Sequence, residues 1–246
     1  FFESWSAVFA YTFSYYFDFS GYGDMAIGLG LLFNINLPVN FNSPYKARNM
    51  SDFWRRWNIT LSLFLNNYIF KSIFKFGNRL PKLLFAVIVT FVVSGLWHGV
   101  GWHYIAWGLV NGIFVCVNSV MELKNKKLPF AFSWSITFFC VLMTRVLFDS
   151  QNMTQAVLVY RNLFHLNGVF NSFHSFCSAG LQYGISNLTT MLLLAVCAVI
   201  SFGTKNTQEI TKDFQPNWKY AAYAAVLLTL SLFRMGSVSS FLYFQF

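Results

Sequence analysis

Apolar residues run along this chain in long blocks, with polar residues gathered between them. Five blocks stand out: Leu83–Trp97, Tyr104–Val120, Phe132–Phe148, Ile185–Phe202 and Tyr220–Leu232. Each approaches the roughly 20 residues that a helix needs to cross a bilayer. The pattern predicts five membrane-spanning helices. The first block reaches spanning length only by continuing into Gly95–Val100, which places its end inside the protein.

Residues 1–41 are less regular. Trp5–Phe19 and Met25–Leu37 are aromatic or apolar but enclose Asp18, Gly21, Gly23 and Asp24. The expectation is two broken or tilted helices, because carboxylates at membrane depth face protein or a water-filled cavity. A loop at the membrane surface explains the same aspartates. In the long connection 149–184, Ala156, Val157, Tyr160, Leu163 and Phe164 recur at helical spacing, which predicts an interfacial helix.

Composition agrees with this pattern. The chain is 56% hydrophobic and 10% charged, far from the charge content of about 25% found in soluble domains. The fold class is therefore an all-α, polytopic transmembrane helix bundle in a lipid bilayer. With no initiator Met and no signal peptide, residues 1–246 are expected to be the C-terminal portion of one membrane domain, a fragment that lacks its N-terminal helices. Cys116, Cys140, Cys177 and Cys197 are widely spaced and the four histidines form no ligand motif; no metal is implied.

Charge adds orientation. Between Asn42 and Lys82, eight basic residues face the single acid Asp52, and the chain's net charge is +9. Smaller basic groups follow at Lys124, Lys126 and Lys127 and at Lys205, Lys212 and Lys219, each separated from the last by two apolar blocks. All three groups then fall on one side, the cytoplasmic one by the positive-inside rule. Such a surface suits anionic lipid head groups or an anionic donor such as a CoA thioester. Nucleic acid is not an expected partner.

Three stretches carry candidate chemistry. Ser94-Gly95-Leu96-Trp97-His98-Gly99 sets an imidazole at the end of an apolar block, where an ionisable group is a functional candidate. Burial favours the neutral imidazole that a general base needs; a structural histidine bonded to a neighbouring helix is the competing reading. In Ser51-Asp52-Phe53-Trp54-Arg55-Arg56-Trp57-Asn58-Ile59-Thr60-Leu61-Ser62, Ser51 is placed to cap a helix that would align Trp54, Asn58 and Ser62 on one face. Trp with Arg also suits a plain interfacial helix. Asn58 cannot act as a base, but its amide can donate to an oxyanion or hold an imidazole. The links Phe19–Ala26 and Leu37–Tyr45 are punctuated by Gly, Pro and Asn, and at membrane depth such links line cavities. These stretches nominate His98 and Asn58 as catalytic, and Asp24, Trp54, Arg55, Arg56, Trp57, Ser62 and Trp97 as substrate-binding.

The succession FDFSGYGDMAIGLGLLF, NLPVNFNSPY, DFWRRWNITLS, SGLWHG, YRNLF and FLYFQF, in order from about Tyr15 to Phe246, resembles the membrane-bound O-acyltransferase (MBOAT) superfamily in its bacterial alginate O-acetylation branch. The resemblance implies a multi-helix fold around a tunnel in the bacterial cytoplasmic (inner) membrane, with His98 catalytic at its centre. It implies a cytoplasmic donor, acetyl-CoA or another acyl thioester, with no bound cofactor. The implied partners are an acceptor polysaccharide or an extracytoplasmic acetyltransferase that relays the group. The family usually carries His at the position of Asn58, and a basic residue with a longer loop around Asn66–Gly77. A single-base route through His98 is therefore expected in place of a two-histidine shuttle. A transporter or channel for acyl groups, and a non-catalytic scaffold subunit, are the rival classes.

Overall fold

The computed structural model describes residues 1–75, 79–126, 128–166, 169 and 187–234. Among these the regular structure is helical: α1 Phe2–Leu32, a 3-10 turn Pro44–Lys46, α2 Met50–Arg56, α3 Ile59–Leu65, a π-helical stretch Asn66–Phe70, α4 Lys71–Phe74, α5 Leu80–His98, α6 Trp102–Leu123, α7 Phe130–Asp149, α8 Met153–Leu163, α9 Asn187–Gly203, α10 Thr207–Lys212 and α11 Trp218–Arg234. Helices α5, α6 and α7, of 19, 22 and 20 residues, are long and apolar enough to cross a membrane. The apolar α9 and α11 have 17 residues each, the short end of the spanning range. Leu188, Leu192, Val196 and Val199 on α9, and Leu227, Leu228 and Leu230 on α11, are exposed. His174, Cys177, Lys127 and the terminal FLYFQF lie outside the described residues.

The N-terminal segment departs from the expected broken helices. A single helix of 31 residues runs through Gly21, Gly23 and Asp24. A glycine costs a helix about 1 kcal/mol, which is too little to break one whose first half is packed into the core. At Gly21 and Gly23 no neighbour approaches closely enough to impose a turn. The helix ends instead at Asn34, in the left-handed region at φ 57°. There Asn34 N–H bonds Leu31 C=O and Ile35 N–H bonds Gly30 C=O, at 3.0 and 2.8 Å. This is the six-to-one and five-to-two pairing that closes helices on a Gly or Asn.

Helices α5 and α6 form a tight hairpin. A Cβ at Gly95 would lie 2.3 Å from the Tyr104 carbonyl oxygen, and one at Gly108 would lie 2.3 Å from that of Phe91. Small residues at these crossings let two backbones touch, as membrane helices commonly do. The core beside this hairpin is aromatic. Phe13 and Tyr16 of α1 meet Tyr45, Phe53 and Trp57, and Tyr45 donates its hydroxyl to Thr12 C=O at 2.7 Å.

Helix α8 forms where helical spacing placed it, with Asn152 accepting from Gln155 N–H at 2.9 Å as its N-cap. Its inward stripe is narrower than expected. Ala156 and Leu163 are fully buried and Tyr160 donates to Met143 C=O at 2.6 Å, whereas Val157 and Phe164 are exposed. The helix rotates Val157 about 100° past Ala156 and off the buried stripe, and Phe164, just past the helix end, meets the Trp5 ring of α1 edge-on at 6.3 Å between centroids.

Candidate functional site

The segment Ser51–Ser62 is two helices, not one. Asn49, in extended backbone, caps α2 by accepting from Asp52 N–H at 2.7 Å. Ser51 therefore lies inside the helix, where it cannot cap, and its hydroxyl accepts from Asn118. The chain breaks after Arg56, and Asn58 takes φ 43°, ψ 59° before α3 starts. The break is imposed from outside. Asn42 N–H bonds Arg56 C=O and Ile59 N–H bonds Asn40 C=O, each at 3.0 Å. The Asn40 side chain accepts from Thr60 N–H at 3.1 Å and from its hydroxyl at 2.6 Å. The irregular Leu37–Tyr45 link thus supplies the cap that α3 lacks locally.

Trp54, Asn58 and Ser62 do not share a helical face, yet all three line one cavity of about 470 Å³ together with Arg55, Trp57 and His98. His98 is the last residue of α5. Its ring stands at steep angles to those of Trp97, Phe148 and Trp107, at centroid distances of 4.9, 4.9 and 5.3 Å. Among the described residues nothing hydrogen-bonds the imidazole. The Asn58 amide does not reach it, so aromatic packing holds the ring and Asn58 does not. That leaves the amide available to a ligand.

The other nominated residues lie elsewhere. Asp24 accepts from the Thr207 hydroxyl at 2.6 Å and from the Gln208 amide at 3.4 Å, tying α1 to α10. Arg56 pairs with Asp52 at 2.9 Å and donates to Asn42 C=O, bracing the link. Trp97 is 58% exposed and reaches the site only through its contact with the His98 ring. None of the three lines the cavity.

One residue of the wall escaped the sequence reading. Arg145, inside the apolar helix α7, is 8% exposed. Its guanidinium carbon sits 4.2 Å from the centroid of Tyr15 and 5.2 Å from those of Trp57 and Phe148. Its Nε has no hydrogen-bond partner; the Tyr45 hydroxyl and the Asp149 carboxylate act on the guanidinium, but no carboxylate among the described residues forms an ion pair with it. Contacts to aromatic faces are worth about 2 kcal/mol when desolvated. Burying an ion costs several kcal/mol, so the rings alone do not offset it. The available signal was the charge itself: an arginine within a membrane span marks a functional site by default.

Among the described residues, the cavity wall carries Arg145, Arg55 and the His98 imidazole, amide and hydroxyl groups, and no carboxylate. It is suited to a ligand with an apolar body and an electron-rich oxygen. The base candidate stands where a helix ends, walled by aromatic rings.

The family model described as MBOAT, membrane-bound O-acyltransferase family, matches residues 1–148. The whole chain is 39% identical to the peptidoglycan O-acetyltransferase of Helicobacter pylori, covering 50% of that protein. Over 99% of its length it is 31% identical to the probable alginate O-acetylase AlgI of Pseudomonas fluorescens, covering 57% of it. A shorter match, 34% identical over 48% of the chain and 30% of the relative, is to the teichoic acid D-alanyltransferase of Streptococcus thermophilus. The chain therefore spans about half the length of the relatives it matches along its whole course. With three helices among the described residues fit to span a membrane and a family model covering more than half of its length, this chain belongs to the membrane-bound O-acyltransferase family.

Proposed function

We propose that the protein containing this chain is an O-acetyltransferase. It moves an acetyl group from a thioester donor on the cytoplasmic side, acetyl-CoA or a related thioester, to a hydroxyl of an extracytoplasmic polysaccharide or relay protein. The observation that carries the reading is His98 at the end of α5, lining one cavity with Asn58. His98 takes the proton of the acceptor hydroxyl as its oxygen attacks the acyl carbon. The tetrahedral oxyanion accepts a hydrogen bond from the Asn58 amide. Its collapse expels the thiolate, which recovers the proton from the imidazolium, leaving an O-acyl ester and a free thiol. A base so placed contributes roughly 10²–10⁴-fold, and an oxyanion donor about 10²–10³-fold.

The relative aligned along the whole chain acts on peptidoglycan by name, which makes peptidoglycan the first acceptor to assay. The full-length protein resides, on this reading, in the bacterial cytoplasmic membrane. The test compares the O-acetyl content of purified peptidoglycan and other envelope polymers in cells with and without the full-length protein. A fall in one polymer, restored by the intact gene and not by His98→Ala, is the expected result. Unchanged acetylation of every polymer, with no thioester turnover by the purified protein, favours the transporter or scaffold readings instead.

A further inference from the structure

Arg145 and His98 share a neighbour. The His98 ring lies 4.9 Å from the Phe148 centroid, and the Arg145 guanidinium carbon lies 5.2 Å from the same centroid. Both side chains line the cavity. Arg55, the other arginine of the wall among the described residues, is exposed. Arg145 is instead buried and clasped by Tyr15, Trp57 and Phe148. Its Nε lacks a hydrogen-bond partner, and although the Tyr45 hydroxyl and the Asp149 carboxylate act on it, no carboxylate among the described residues is in ion-pair contact with it. A fixed, desolvated cation beside the base is the preorganised group that stabilises charge developing in a transition state.

We propose that Arg145 is a further catalytic residue, its guanidinium donating to the acyl carbonyl oxygen and holding the oxyanion formed there, alongside the Asn58 amide. This rests on the acyl-transfer reading above. In that step the acceptor oxygen bonds to the carbonyl carbon and its proton passes to His98. The carbonyl π pair becomes the oxyanion facing Arg145. The carbon–sulfur bond then breaks as the carbonyl reforms, and the thiolate takes the proton back.

The test uses the full-length protein reconstituted in lipid vesicles, with two donors: acetyl-CoA, and p-nitrophenyl acetate, which has no phosphate. Arg145→Gln should lower kcat by about 10²–10³ with either donor, with KM within about twofold. Arg145→Lys keeps the charge without the planar fork and should recover part of the loss; it also carries the test if the glutamine variant fails to accumulate. A rise in KM confined to acetyl-CoA would overturn the proposal, since it would place Arg145 on the donor's phosphates. So would a wild-type kcat in both variants. A wild-type protein that turns over neither donor would refute the acyl-transfer reading itself, a failure distinct from loss of the Arg145 role alone.

Discussion

The ring of His98 stands edge-on to that of Trp107, with centroids 5.3 Å apart and planes 86° from parallel. With Phe148 on another side, the imidazole is held by shape alone, free of hydrogen bonds to the described residues. Its nitrogens are therefore available for chemistry. His98→Ala should abolish acyl transfer, a loss of about 10²–10⁴, while membrane insertion and yield stay near normal. His165, exposed beyond the end of α8, should tolerate the same change with activity within about twofold. Substantial activity in the His98 variant would remove it from the mechanism.

Asn58 has two roles that a substitution series can separate. Its backbone occupies the left-handed region, which Asn, His and Gly enter more readily than most residues. Asn58→Gly keeps that backbone and deletes the amide; kcat should fall about 10²–10³ with little change in thermal stability. Asn58→His should be tolerated by fold and activity, since it keeps a hydrogen-bond donor at a site already shaped for a polar group. A β-branched residue such as Val should destabilise by about 1–2 kcal/mol. Unchanged kcat in the glycine variant would show that the amide takes no part in the reaction.

What the sequence revealed, and what it hid, follows from how local each feature is. The spans behind α5, α6 and α7 and the position of His98 were legible because apolar length and an ionisable residue at its end are written in consecutive residues. The break at Trp57-Asn58 was not, because Trp54–Ser62 reads as continuous helix until Asn40 and Asn42, roughly fifteen to twenty residues upstream, bond across it. Aspartates and glycines in α1 suggested interruption, whereas the helix is anchored by the aromatic packing of its first half and meets no neighbour at Gly21 or Gly23 that would turn it. Arg145 was hidden inside an apolar block. Only the tertiary arrangement shows that it is buried among three rings with no carboxylate in ion-pair contact.

The α5–α6 crossing should be intolerant of a single methyl group. At Gly95 and Gly108 an added Cβ meets a backbone carbonyl oxygen at 2.3 Å, and a backbone, unlike a side-chain tip, cannot swing aside. Gly95→Ala and Gly108→Ala should each lower stability by at least the 1–3 kcal/mol typical of overpacking. Because His98 follows Gly95 by less than one turn, activity should fall too. Gly21→Ala and Gly28→Ala, with open space around the added atom, should be neutral or stabilising by up to about 1 kcal/mol. Thermal denaturation of the full-length protein in detergent measures all four. Equal melting temperatures for the two pairs would contradict the close crossing.

Sidedness can be tested without reference to catalysis or family, because it rests on basic groups alternating with pairs of apolar spans. Lys75, Lys126 and Lys212 are exposed, and positive charge near span ends holds those ends on the cytoplasmic side. Cysteines introduced there, in the full-length protein stripped of its native cysteines, should react with an impermeant thiol reagent only when the cytoplasmic face is open to it. A cysteine replacing His165, in the connection after α7, should react from outside in intact cells. Each basic group contributes its own orienting bias, so a single discordant position points to a re-entrant segment there. Labelling of two or more of the basic positions from outside would invert the scheme. The face rich in Lys and Arg between Asn42 and Lys82 could then no longer receive a cytoplasmic thioester.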